Sequence, residues 1–164
     1  MPEKAEHTVS CISIFATPLG NLWAGFSDRA LVTLSFKPSP PSSVSTKSSH
    51  PLEQPLRLWL EDYFFKRFHP PTLPLAPCGT PFQHRVWSEV AKINAGNHQT
   101  YGQLATQLGT APRAVGQAMA ANPVLLLIPC HRIIATNHKI GGYSGGEGTN
   151  TKRWLLHWEG AELP

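Results

Sequence analysis

Prolines cut this chain into two parts of different character. Pro70, Pro71, Pro74 and Pro77 fall within a short span, and so many fixed φ angles make a stiff connector rather than a helix or a sheet interior. Before them the pattern is strand-like. Cys11 to Phe15 is rich in β-branched and aromatic residues, Thr17-Pro18-Leu19-Gly20-Asn21 is a turn, and Leu22 to Phe26 and Ala30 to Phe36 complete an antiparallel meander. Lys37 to Pro51 is dominated by Pro and Ser and reads as a flexible loop. Leu56, Leu60, Tyr63 or Phe64, and Phe68 then recur at helical spacing, which predicts one amphipathic helix over Gln54–Phe68.

Beyond the prolines the period becomes helical. Phe82, Val86, Val90 and Ile93 predict a helix over Pro81–Ile93, followed by a turn to Gln99. Thr100 is placed to cap a short helix, Tyr101–Leu108, which Gly109 ends; a second runs from Pro112 to Ala121. Two short helices around a Gly-containing turn resemble a helix-turn-helix. Val124–Ile128 is a continuous apolar run, consistent with a buried strand or extended segment, and Pro129-Cys130-His131-Arg132 follows it. Gly141, Gly142, Gly145, Gly146 and Gly148 mark a loop whose backbone comes close to something, and Asn150–Gly160 is a last helix. The architecture is therefore α/β in two parts: residues 1–77 with loop 37–51, and a mainly helical 78–164.

With 164 residues, 41% of them hydrophobic, the chain can bury a core. No apolar run is long enough for a membrane span, and the N-terminus lacks a secretory h-region, so a reducing, cytoplasmic setting is expected, nuclear in a eukaryote. Three cysteines, Cys11, Cys78 and Cys130, are too few for a disulfide framework. Cys11 and Cys78 read as small buried hydrophobes. His7, Cys11, Cys78 and His84 contain no tight ligand pair such as CxxC, so no metal site is expected. The net charge of +4, with its excess weighted from Thr80 onward, hints at a phosphate-bearing partner. Histidine beside a thiol favours the thiolate, which makes Cys130-His131 a candidate nucleophile.

The segments Gly79–Trp87 (GTPFQHRVW), Thr100–Ala105 (TYGQLA), Arg113–Pro123 (RAVGQAMAANP), Asn122–Ile134 (NPVLLLIPCHRII), Gly141–Gly146 (GGYSGG) and Lys152–Gly160 (KRWLLHWEG) together resemble the O6-alkylguanine-DNA alkyltransferases. The likeness covers residues 79–160 in order and extends less specifically into the N-terminal part. It implies a ribonuclease H-like sheet plus helix, followed by a winged-helix or helix-turn-helix-like domain for DNA binding and alkyl acceptance. Cys130 would accept the alkyl group as thiolate; His131, through a water, would take its proton, and Glu159 would orient the imidazole. Asn122 would hold the active-site turn, and Tyr101 would protonate the departing base. Tyr143, Met119, Gly145, the Ser144 N–H and the carbonyls of Cys130 and Ile133 would enclose and read a flipped purine. Arg113, Ala114, Gly116, Tyr101, Gly102 and Thr136 would meet double-stranded DNA in the minor groove, Arg113 filling the space of the flipped nucleotide.

The resemblance further implies a monomer that works once, without cofactor or metal, on O6-alkylguanine and less efficiently on O4-alkylthymine, because a thioether is not cleaved by thiol exchange. Three rival readings stand beside it: an alkyltransferase-like protein that only binds the lesion, a class that lacks the acceptor cysteine present here as Cys130; a Cys-His hydrolase; and a purely structural helix-turn-helix. Against the family pattern the turn Thr110-Ala111-Pro112 is short, the stretch Glu147–Thr151 is long, and Asn94 replaces a common proline.

Overall fold

The computed structural model describes residues 7–38, 49–137 and 139–163, and the chain divides after Cys78 into two compact units. Most of the Pro/Ser-rich stretch expected as a loop, residues 39–48, lies outside the described residues, as do the first six residues.

In the first unit, β1 (Cys11–Thr17), β2 (Gly20–Phe26) and β3 (Leu31–Ser35) form an antiparallel sheet in that order. Alternation buries Leu22, Ala24 and Phe26 of β2. Helix α1 (Glu53–Phe64) buries Leu56, Trp59, Leu60 and Tyr63, one face at spacings of three and four. It stops short of the expected Phe68. Lys66 turns left-handed at φ 59°, and the Arg67 N–H returns to the Asp62 carbonyl at 2.8 Å. Phe65, 71% exposed, is left without a core to join. The proline connector is not a free spacer. The Leu31 N–H donates to the Pro74 carbonyl at 3.0 Å and the Ala76 N–H to the Leu31 carbonyl at 2.9 Å, so the connector runs beside β3.

In the second unit, α2 (Pro81–Val90) and α3 (Tyr101–Leu108) each begin with a reciprocal capping box, Thr80 with Gln83 and Thr100 with Gln103. Helix α2 ends before the expected Ile93, which instead closes a turn onto the Val90 carbonyl. Gly109 ends α3 at φ 66°, a backbone conformation that costs glycine nothing. Only Thr110 and Ala111 separate it from α4 (Pro112–Ala120), whose Val115, Ala118 and Met119 are buried. The Trp87 indole ties α2 to α4 by donating to the Ala118 carbonyl at 2.8 Å. Helix α5 (Thr149–Trp158) closes the unit.

The Val124–Ile128 run is neither strand nor extended. It is a buried, tightly folded turn in which the Ile128 N–H reaches the Val124 carbonyl at 3.1 Å and Leu126 adopts φ 68°. Apolarity reports burial, and here burial is met by a turn whose polar groups are satisfied partly within it and partly by the Asn122 side chain. A short 3₁₀ turn, Cys130–Arg132, leads into β5 (Ile133–Ile134), which pairs in parallel with β4 (Gln99–Thr100). That pairing sets the start of α3 beside the Cys130 turn.

Replacing Thr100 by Ala removes the side-chain acceptor for the Gln103 N–H. Urea unfolding is expected to show a loss of about 1 kcal/mol with an unchanged slope; an unchanged midpoint would show that the cap contributes nothing.

Candidate active site

Cys130 is 4% exposed and sits in the wall of a cavity of about 450 Å³, lined also by Tyr101, Gly116, Met119, Ala120, Gly142, Tyr143 and Ser144. These come from the first turn of α3, one face of α4, the 3₁₀ turn and the glycine-rich loop. Of the residues expected to read a purine, Tyr143, Met119 and Ser144 are brought together with the thiol. Ile133 and Gly145 are not in the lining. The Ile133 carbonyl accepts from the Lys152 ammonium, and Gly145 is packed so closely that an added Cβ would lie 2.8 Å from Leu125 and from the Tyr143 ring.

Asn122 clamps the turn that presents the thiol. Its Nδ2 donates to the Ile128 carbonyl at 2.9 Å, and its Oδ1 accepts from the Val124 N–H at 3.0 Å. Behind the thiol, His131 and Glu159 are wholly buried side chains joined Nε2 to Oε1 at 2.7 Å. The solvated Glu159 that its place at the end of a surface helix would suggest is absent. Arg132 donates Nε to Glu159 Oε2 at 2.9 Å and Nη2 to Oε1 at 3.0 Å, and Nη1 to the Ile93 carbonyl. Burial alone would raise the Glu159 carboxyl, but His131 and the Arg132 fork outweigh it and hold the group well below the usual carboxylate range.

Burial pushes the Cys130 thiol up, against the opposing pull of the Asn122 hydrogen bond and the Lys152 charge. Desolvation of the anion outweighs these partners and favours the thiol form of the resting sulfur, so a base is needed to ionise it. Burial likewise pushes the His131 imidazole down despite Glu159, so the ring is neutral, with Nε2–H on Glu159 and Nδ1 bonded to no group among the described residues. Tyr101 is held above its ordinary value by burial and then by the Cys130 charge, so it keeps its phenolic proton.

Lys152, which the residue pattern did not single out, braces the site from behind. It is fully buried, and its ammonium donates to the carbonyls of Ile133 and, at 3.0 Å, Gly142, and lies 3.4 Å from the Tyr101 hydroxyl. Burial lowers its pKa to about 8, and the Cys130 charge works the other way. Only its place one turn into the last helix, three and four residues before Leu155 and Leu156, hinted at this.

Around the corner of Tyr101 and Gly116 a second cavity of about 400 Å³ is lined by Gly102, Pro112, Arg113, Ala135 and Thr136. Arg113 is exposed in the first turn of α4, and Ala114 beside it is half-buried. No ion pair among the described residues involves Arg113. Of the long Glu147–Thr151 stretch, Glu147 and Gly148 form a turn and Thr149–Thr151 begin α5, with the Glu147 N–H donating to Thr151 Oγ1 at 2.9 Å. Among the described residues no three His, Cys, Asp or Glu side chains gather as a metal site, and no helix is long and apolar enough to cross a membrane. Cys11 is buried as expected, but Cys78 is exposed: it lies on the connector, where no core covers it.

Residues 81–161 match the family model for the 6-O-methylguanine DNA methyltransferase DNA-binding domain. The methylated-DNA–protein-cysteine methyltransferase of Saccharolobus islandicus is 39% identical over 156 residues, spanning 92% of this chain and 96% of that protein. This chain belongs to that family. Its counterpart of the same name in Shigella flexneri is 37% identical, over 88% of this chain and 92% of that one. A crystal structure of Mycobacterium tuberculosis OGT in complex with DNA superposes with a TM-score of 0.83 at 31% identity, covering 94% and 95% of the two chains. The fold is thus the mixed α/β fold of a family of DNA-binding methyltransferases.

Two measurements check this site. Exposed Cys78 is expected to react with a thiol reagent in the native protein well before buried Cys11 and Cys130, read by peptide mass mapping; simultaneous modification would contradict the burial. Because the Glu159 pKa is depressed by folding, its stabilisation is fully present above the unfolded value and lost as pH falls through the carboxylate range. Wild-type stability should therefore fall more steeply below about pH 5 than that of Glu159→Gln, a variant itself expected to lose about 3–5 kcal/mol at neutral pH.

Proposed function

We propose that this protein repairs DNA by moving an alkyl group from the O6 atom of guanine, and less efficiently from O4 of thymine, onto Cys130, once per molecule. One observation carries the reading: a buried thiol opens on a cavity walled by Tyr101, Met119, Tyr143 and Ser144, backed by a His131–Glu159 pair. The family's name and a relative solved with DNA bound support it.

The chemistry follows from the protonation states. The Cys130 proton passes through a water to neutral His131, whose positive charge Glu159 balances. The sulfur then attacks the alkyl carbon, the S–C bond forms and the C–O6 bond breaks. The departing guanine takes a proton from Tyr101, and the Ser144 N–H serves O6. The proton held on His131 returns through solvent to the phenolate, so the net exchange is thiol proton for alkyl group. The thioether cannot be reopened by thiol exchange, and no cofactor enters the scheme.

For the sulfur to reach it, the base must leave the stack. Arg113, with Ala114 and Gly116 permitting close approach, enters the minor groove and occupies the vacated space, while Gly102 and Thr136 meet the backbone. A protein that only binds lesions needs no acceptor sulfur beside a proton-accepting pair, which favours transfer.

Incubation with a duplex carrying O6-methylguanine is expected to add one methyl-for-hydrogen replacement to the intact mass, on Cys130, and to stop at one equivalent. Cys130→Ser should bind the duplex without gaining mass. Tyr101→Phe should transfer about 10²-fold more slowly, the scale of one lost proton donor. Continued turnover would indicate a hydrolase, and binding with a free Cys130 thiol would indicate a lesion-binding protein.

A further inference from the structure

Arg132 follows the Cys-His pair but does not line the cavity; its Nε, Nη1 and Nη2 each donate to Glu159 or to the Ile93 carbonyl. The detail that matters is Glu159 Oε1, which accepts from His131 Nε2 at 2.7 Å and from Arg132 Nη2 at 3.0 Å. A buried carboxylate facing a histidine alone draws a proton onto the ring, and an imidazolium has no lone pair left for a thiol proton. A guanidinium on the same oxygen competes for that acceptor, and its charge opposes a second cation beside it.

Burial is the largest influence against a charged His131 ring, and the charged groups facing it divide by sign. Glu159 favours the protonated ring, whereas Arg132 and Lys152 oppose it. Tyr143 lies edge-on, with ring centroids 6.5 Å apart. Cys130 precedes it in the 3₁₀ turn, where burial favours the thiol form. Of the two opposing cations, only Arg132 also takes part of the carboxylate's hydrogen bonding, and the Ile93 carbonyl fixes it there.

We propose that Arg132 is a positioning residue: by occupying Glu159 it keeps His131 neutral, and so keeps the acceptor of the Cys130 proton open at neutral pH. The inference rests on the reading of Cys130 as alkyl acceptor and His131 as its base, and it names what sets the pH range of that site.

The test compares wild type with Arg132→Gln and Arg132→Lys in two ways: NMR titration of the His131 ring, and the single-turnover rate of methyl transfer from an O6-methylguanine duplex as a function of pH. In Arg132→Gln the ring should protonate about one unit higher, and the acid limb of the rate profile should move with it. Below the limb that is a roughly tenfold slower transfer; the plateau above it should be retained. Lysine returns the charge without the fork, so Arg132→Lys should shift the limb upward by less. An unmoved ring titration, or a rate reduced equally at every pH, would overturn the proposal. If the Gln variant does not fold, Arg132→Lys decides, and an unmoved limb there counts against it. If wild type forms no thioether at any pH, the alkyl-acceptor reading fails, while the ring titration still decides whether Arg132 holds His131 neutral.

Discussion

The second unit depends on one buried carboxylate. Glu159 stands just past the end of α5, and its side chain is fully out of water. Such a charge is tolerable only when its oxygens are filled by well-placed donors, and here the donors come from the 3₁₀ turn, whose Arg132 is in turn held by the loop after α2. Three segments distant in sequence are thereby tied to one point. The same point fixes the ring behind the thiol, so the requirement that stabilises the unit also sets the direction from which a proton can be taken.

Burial that disfavours the Cys130 thiolate bears directly on reactivity at this site. A standing thiolate would be open to any electrophile or oxidant, whereas burial withholds ionisation until the proton has somewhere to go. Lys152 contributes from the other side. Its ammonium spans the Ile133 and Gly142 carbonyls and the Tyr101 hydroxyl, joining the 3₁₀ exit, the glycine loop and the start of α3. A cation placed to favour a thiolate is thus also a structural tie.

Local chemistry made much of this readable in advance. The meander, the Thr100 cap, the Gly109 stop and the proline opening α4 are written in neighbouring residues, because caps and turns are satisfied within a few positions. The family resemblance likewise implied that Cys130, Tyr101 and Tyr143 share a site. What stayed hidden depends on long-range partners. Arg132 and Lys152 look like ordinary surface cations until the fold buries them. The Val124–Ile128 run looked extended because an apolar string announces enclosure without announcing conformation. Cys11 and Cys78 could not be separated, since nothing beside either residue says whether a core will cover it.

Leu126 carries a consequence for how freely this region can vary. It is 1% exposed yet adopts φ 68°, where a branched side chain costs roughly 1 kcal/mol that glycine would avoid. A glycine would relax the backbone and leave a hole where leucine now fills the interior. Backbone comfort and packing therefore pull in opposite directions at this position, and the Asn122 clamp on either side keeps leucine in the uncomfortable arrangement. Substitutions around it would alter the aim of the sulfur before they altered the overall architecture.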